Sequence, residues 1–176
     1  MTDLRYPVGP FRMESEALTE EQRKGFIAQI AQAPAKLRQA IEGLSPEQLD
    51  TPYRSGGWTA RQVAHHLPDS HLNAYVRFKL ALTEEEPMIQ TYEEGEWAKL
   101  ADVRETPVEV SLDLLDALHQ RWVVLLRSLS EKEFARGVRH PGWGRVSVDW
   151  LLAQYAWHGR HHVAHITSLR ERMGWN

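Results

Sequence analysis

The chain has 176 residues, no cysteine, and a formal net charge of −3 at pH 7 from 21 basic and 24 acidic side chains. This length fits one domain, residues 1–176, with its own hydrophobic core. The lack of cysteine excludes disulfides, thiolate metal sites and cysteine nucleophiles, so a bound metal has to use histidine, carboxylate or water. The basic residues form no long run, which argues against a nucleic-acid partner. No stretch is apolar for the roughly 18 residues that a membrane span needs, so we expect no membrane association and a cytoplasmic protein.

The N-terminal residues 1–18 contain prolines and show no helical period, so we expect an arm that lies on the surface or reaches a second subunit. Thr19 and Gln22 form a capping-box pattern that predicts the start of a first helix. Pro34 interrupts the apolar pattern of this helix and predicts a kink or a restart there. The apolar residues at helical spacing are Phe26, Ile27, Ile30, Leu37, Ile41 and Leu44.

A second long helix is predicted after the loop at residues 50–57. Thr59 is suited to the N-cap position and Gln62 to the third helical position. One stripe is apolar (Val63, Leu67, Ala74, Phe78 and Ala81), and a polar stripe runs beside it (His66, Ser70, Asn73 and Arg77). Pro68 lacks the backbone donor of the helical ladder, so a kink near His66 is expected.

Residues 84–105 form the longest connection in the chain, and they are acidic. We expect a short helical piece at 97–100, and long connections often contribute lids or binding edges. Thr106 and Pro107 predict the start of a third helix, with Glu109 completing a capping box. Its apolar stripe consists of Leu112, Leu115, Leu118, Trp122, Leu125, Leu126 and Leu129.

The segment 136–145 is rich in glycine and is predicted to be a loop or a small hairpin. Ser147 then caps a last helix over about 148–173, before Gly174. Four long amphipathic helices without a series of strands predict an all-α four-helix bundle. The long crossover between the second and third of these helices leaves the topology open.

Four of the nine histidines lie within residues 158–165. His158 and His162 differ by only about 40° around a helix axis, so their imidazoles lie one turn apart on one face. The apolar residues of this helix place both on its inner side, whereas His161 and His165 are expected at the flank, in outer positions or exposed. An inward pair at this spacing is typical of metal ligands, although core histidines bonded to backbone or carboxylates are the alternative.

One helix places only two imidazoles properly, so a third ligand has to come from another helix. The second helix contains His65, His66 and His71, and among them His66 is best placed beside the apolar stripe. A boundary histidine that donates to a carboxylate is the alternative interpretation of His66.

Other candidates have weaker support. Asn73 and Arg77 are possible ligands for an anionic group of a substrate, and Asp69 is a possible partner that orients His65 or His66. We expect His119 and His140 at the surface, and the seven tryptophans mostly in the core or an interface.

Three segments of the chain form a recognisable set: 56–67 (GGWTARQVAHHL), 69–71 (DSH) and 157–166 (WHGRHHVAHI). They resemble the DinB superfamily, and more narrowly its YfiT-type metal-dependent hydrolases, which are also described as bacillithiol-transferase-like. The similarity extends over most of the chain, including residues 6–9, 49–54 and 172–175. Pro68 stands where this family is expected to have a small residue.

The resemblance implies a four-helix bundle, frequently a homodimer, with one divalent metal ion per subunit, zinc or nickel. The metal-ligand positions of the family correspond to His66, His158 and His162 in this sequence, the same three that helical geometry favours. We therefore expect an enzyme that hydrolyses a small-molecule substrate with a metal-activated water. The first alternative is a transferase that moves a low-molecular-weight, bacillithiol-type thiol onto small electrophiles. A non-catalytic metal-binding stress protein is the second alternative.

Overall fold

The computed structural model describes residues 3–13 and 15–175, which form eight helices and one hairpin. The elements in chain order are α1 (Glu20–Ile41), α2 (Pro46–Leu49), α3 (Ala60–Thr83), α4 (Glu94–Trp97), α5 (Ala101–Glu105), α6 (Val108–Ser128), α7 (Glu131–Phe134), β1 (Gly137–His140), β2 (Gly144–Ser147) and α8 (Val148–Met173). The four long helices are α1, α3, α6 and α8. No helix among the described residues is both long and apolar enough to cross a bilayer.

The four long helices form a bundle, which confirms the predicted fold class. Helix α1 packs against α8 and α6, and α3 packs against the same two helices, so α1 and α3 lie diagonally across the bundle. One apolar cluster surrounds Trp122 and Phe78, and a second surrounds Leu67 and Leu115. These residues come from the apolar stripes of the sequence, because each amphipathic helix can bury its stripe only against the others.

Capping residues set most of the helix ends that position the site. At Thr19 and at Thr59 both halves of the predicted capping box are present. Ser147 accepts the amide of Trp150 to open α8, and Gly174 ends this helix with a left-handed φ of 66°. The predicted capping box of α6 is wrong, since Pro107 itself occupies the N-cap and has no side-chain acceptor to offer.

The two helical prolines do not break their helices. Helix α1 continues through Pro34, so the predicted restart at this residue is wrong, and α3 likewise continues through Pro68. Both prolines are buried in the bundle. Packing of the surrounding helix therefore offsets the backbone hydrogen bond that each proline removes.

The crossover between α3 and α6 folds back onto the rest of the molecule. Its helical pieces are α4 and α5, which flank the turn where a single piece at 97–100 was expected. The amide of Ile89 donates to the carbonyl of Arg139 at 3.0 Å, which ties the crossover to the hairpin. Strands β1 and β2 pair antiparallel with Val138 opposite Val146, so the predicted small hairpin is present and extends over 137–147.

The N-terminal arm lies along α8 of its own chain. The indole nitrogen of Trp157 donates to the carbonyl of Gly9 at 3.0 Å, and Nε2 of His165 lies 3.3 Å from the carbonyl oxygen of Arg5. Phe11 packs edge-on against Trp150. Residues 1, 2 and 14 of the predicted arm 1–18 lie outside the described part of the chain, as does residue 176.

Candidate metal centre

Helix α8 supplies two imidazoles that point in the same direction. His158 and His162 are separated by one turn, and their Nε2 atoms lie 3.1 Å apart. Gly159 lies between them on the side facing α1, where a Cβ atom would be only 3.3 Å from Cβ of Ala33. The missing side chain at this position allows α1 to pack closely beside the histidine pair.

Helix α3 brings a third imidazole to the same point. Nε2 of His66 lies 3.4 Å from Nε2 of His158, and one nitrogen from each of His66, His158 and His162 falls within 4.8 Å of the others. A tetrahedral cation with bonds of ~2.1 Å would separate its nitrogen ligands by ~3.4 Å. The structure therefore brings together the three predicted ligands at spacings that suit a divalent cation.

Burial keeps these imidazoles neutral at neutral pH. Desolvation lowers the pKa of His66 to about 4. Desolvation and the neighbouring histidines hold the pKa values of His158 and His162 well below the ordinary value. A neutral imidazole offers a lone pair, so protons do not compete with a cation for these nitrogens near pH 7.

The donor set also fits a cation on chemical grounds. Nε2 of His158 lies 3.4 Å from Nε2 of His66 and 3.1 Å from Nε2 of His162, so one imidazole nitrogen has two others close to it. In the tautomers that direct all three lone pairs inward, the lone pairs repel one another. A divalent cation bound by all three removes this conflict, and imidazole ligands suit zinc and nickel.

The three histidines lie in the wall of a cavity of about 510 Å³. Its other walls carry aromatic, polar and charged side chains from the loop before α3, from the crossover, from the hairpin turn and from α8. The aromatic residues are Tyr53, Trp58, Tyr92, Trp143, Tyr155 and Trp157. Three of the seven tryptophans thus line the cavity and do not serve the core alone.

Arg77 is the one weaker candidate that reaches the cavity. Its guanidinium donates to the hydroxyl of Tyr155 at 2.7 Å and to the carbonyl of Gln90 at 3.0 Å, so it joins α3, α8 and the crossover. Asn73 instead donates to the backbone carbonyl of Asp69, at 2.9 Å within α3. Neither Asp69 nor Asn73 lines the cavity. Among the described residues, the carboxylate of Asp69 forms no hydrogen bond to a histidine, although burial raises its pKa to about 6.

His161 and His165 were expected in outer positions or exposed; both are buried, so the second alternative is wrong. The arm and the loop before α3 cover them: the ring of Tyr6 lies 5.9 Å from that of His161, and Tyr53 stacks on His165 at 3.9 Å. Both histidines line the cavity, and desolvation lowers the pKa of each to about 4. They also approach His162 closely enough to form a second group of possible ligands, but this group shares His162 with the first.

His119 is also buried, although it was expected at the surface, and it contacts His71 in the interior. His140 is half-buried and stacks on Trp143 at the cavity edge. Helical spacing already indicated that His71 and His119 lie in the interior. His71 lies only about 20° from Phe78 around α3, and His119 follows Leu115 by one turn on the apolar stripe of α6.

Comparisons with known proteins agree with this architecture. The DinB superfamily matches residues 29–166. A Bacillus cereus protein is 52% identical and a Bacillus anthracis protein is 51% identical, each over 175 residues, which cover 99% of this chain and 100% of theirs. Both are named "putative metal-dependent hydrolase". A solved structure, described as "YfiT from Bacillus subtilis is a probable metal-dependent hydrolase with an unusual four-helix bundle topology", has 48% identity and a TM-score of 0.96, covering 99% of this chain and 100% of that one.

Proposed function

The chain belongs to the DinB superfamily, and from this membership we propose that it is a metal-dependent hydrolase of small molecules. The observation that supports the proposal most directly is the convergence of three imidazole nitrogens at the wall of a cavity. His66, His158 and His162 would be the ligands of one zinc or nickel ion. A bound divalent cation would supply Lewis-acid chemistry, by polarising a substrate oxygen or lowering the pKa of water toward about 7.

The number of protein ligands favours catalysis over a structural role. The group contains three histidines among the described residues, whereas structural zinc sites usually have four protein ligands. All three histidines line the cavity, so a cation that they held would be accessible to a substrate in this space. A closed coordination sphere, with no effect of the protein on the rate of any tested reaction, would instead support the non-catalytic alternative.

The cavity walls indicate what kind of molecule fits. Its aromatic side chains offer apolar contact, and Arg77 is anchored at one wall by Tyr155 and Gln90. Arg54 also lines the cavity, and its buried Nε has no hydrogen-bond partner among the described residues. We infer that the substrate combines an apolar part with an acceptor group such as a carboxylate, which guanidinium groups bind well.

The two arginines also favour a second candidate function, transfer of a low-molecular-weight thiol to an electrophile. A charged cosubstrate would use the same guanidinium groups, and the thiol has to come from a small molecule because the chain has no cysteine. The two reactions differ in one measurable respect. Hydrolysis proceeds without added thiol, whereas S-transfer requires it and its rate rises with thiol concentration.

Metal analysis of protein purified without a nickel column tests the proposal. We expect about one zinc or nickel ion per chain in the wild type and its loss in His158→Ala. His140→Ala is the matched control, since His140 lies at the cavity edge outside the three-histidine group, and it should keep the metal. Metal-free wild-type protein, or unchanged metal content in His158→Ala, would refute the metal site. Panels of esters, amides and electrophiles, each with and without thiol, then separate the two reactions.

A further inference from the structure

A continuous series of hydrogen bonds leads away from the proposed metal ligands and crosses the whole bundle. Nδ1 of His158 lies 3.1 Å from Nε2 of His71, and Nδ1 of His71 lies 2.8 Å from Nε2 of His119. Nδ1 of His119 lies 2.7 Å from the backbone carbonyl oxygen of Ile30. We name these three rings the histidine chain. It takes one residue from each of α8, α3 and α6, and it ends on α1.

The carbonyl at the end of the histidine chain determines where every proton lies. The oxygen of Ile30 only accepts, so Nδ1 of His119 must carry a proton. In a neutral ring Nε2 of His119 is then a bare acceptor, which requires the proton of the next contact to be on Nδ1 of His71. By the same reasoning Nε2 of His71 accepts a proton from Nδ1 of His158. Three protons fill the three contacts, and Nε2 of His158 has none.

An additional proton has no suitable position in this series. His71 is completely buried and His119 is 2% exposed, so a positive charge there would lack solvation. Among residues 3–13 and 15–175, no carboxylate is hydrogen-bonded to any of the three rings to compensate such a charge. The neutral arrangement with one proton per contact is therefore the favoured one.

We propose that His71 and His119 are positioning residues that hold His158 in the tautomer whose Nε2 lone pair faces His66 and His162. This inference rests on the proposed function, because it assigns a role toward the same metal site. The proposal also distinguishes two of the ligands by the partner of their Nδ1 atom. His158 is oriented by the histidine chain, whereas Nδ1 of His162 has no partner among the described residues. Partners of this kind fix the ring orientation of a metal-binding histidine and raise its basicity.

A nitrogen-15 NMR spectrum of the metal-free protein tests the tautomer directly. In the wild type we expect His158 to carry its proton on Nδ1, with a hydrogen-bonded shift, and Nε2 to show the signal of an unprotonated nitrogen. This measurement needs neither a bound metal nor a substituted protein. A proton on Nε2 of His158 in the wild type would overturn the inference.

Zinc affinity, measured by competition with a chelator, tests the consequence for the site. His71→Leu removes the acceptor for His158 and should weaken zinc binding about 10- to 100-fold. His71→Gln places an amide oxygen near the position of Nε2, so it should accept the same proton and recover most of this loss. His65→Gln is the matched control: His65 is also buried on α3, but its Nδ1 contacts Ser111 at 2.7 Å and no member of the histidine chain, so its affinity should stay at the wild-type value.

The outcomes distinguish this inference from the proposed function. Wild-type protein that binds no zinc would contradict the metal site itself. Normal zinc binding by the wild type and equal affinity in folded His71→Leu would contradict only the role of the histidine chain. Equal losses in His71→Leu and His71→Gln would also refute it, because a space-filling role does not depend on the acceptor. If His71→Leu does not fold, the nitrogen-15 NMR measurement of the His158 tautomer in the wild type still tests the inference.

Discussion

Asp149 is a buried carboxylate at the start of the helix that carries two proposed metal ligands. Its side chain is 3% exposed, and it accepts two hydrogen bonds from the guanidinium of Arg23, both at 2.7 Å. The amide of Leu18 donates to the same carboxylate at 3.0 Å. Asp149 therefore joins the beginning of α8 to α1 and to the end of the N-terminal arm.

Substituting Asp149 with alanine removes the acceptor for all three hydrogen bonds. The guanidinium of Arg23 would remain in a site where its side chain is only 12% exposed, and the Leu18 amide would lose its partner. Removing one partner of a buried pair costs about 3–5 kcal/mol of the free energy of unfolding. Arg23 also lies over the ring of Phe134 at 4.5 Å, which still stabilises the cation. We therefore expect a loss near the lower limit, about 3 kcal/mol.

Urea unfolding measures this loss, and Asp113→Ala is the matched control. Asp113 also pairs with an arginine at 2.7 Å, but its side chain is 75% exposed and that of Arg38 is 49% exposed. Exposed pairs contribute about 0–1 kcal/mol, so the control should lose less than about 1 kcal/mol. Adding Arg23→Met to Asp149→Ala should recover part of the loss, because no unpaired charge remains. Equal losses for Asp149→Ala and Asp113→Ala would refute the reasoning.

Three further predictions concern stability and the arm. Metal-free protein should lose stability between about pH 6.5 and 4: the pKa of His119 falls from 6.5 to about 4 by burial, so only the unfolded state binds the proton in this window. In urea unfolding, the free energy of unfolding of His119→Phe should fall between pH 7 and pH 4 by up to about 3 kcal/mol less than that of the wild type. An equal fall in both proteins would contradict this role of His119. Gly159→Leu should lower the free energy of unfolding by about 1–3 kcal/mol, since even the Cβ atom of the new side chain would lie 3.3 Å from Ala33. Gly25→Ala, on open helix surface, should instead raise the free energy of unfolding by about 1 kcal/mol. Trp157→Phe removes a hydrogen bond to the arm worth about 1 kcal/mol, so trypsin should cut the arm several-fold faster, and equal cleavage rates would exclude this anchoring.

Local signals predicted much of the fold correctly. Ser147 and Gly174 mark the ends of α8, because an N-cap hydroxyl and a left-handed glycine act within one turn of the chain. The same locality explains an error. Pro34 removes a local hydrogen bond and predicts a kink or a restart, yet packing of the whole of α1 against its neighbours keeps the helix continuous, so the restart does not occur.

Local helix geometry also predicted part of the candidate site. His158 and His162 are one turn apart, so their common direction follows from helix geometry alone. The burial of His161 and His165 does not follow from it, because other parts of the chain cover them. Tyr53 stacks on His165 from the loop before α3, a contact between residues far apart in sequence.

The sequence by itself determined the four helices, their apolar faces and the inward pair of histidines, since each depends on the spacing of residues within one element. The sequence favoured His66 as the third ligand, but only the tertiary structure shows how the imidazoles meet. His66 reaches the pair because α3 packs against α8, and His71 and His119 join them because both lie on buried stripes of neighbouring helices. The direction of the protons along the histidine chain follows from one carbonyl on α1, at Ile30, and no local pattern could indicate that contact between distant helices.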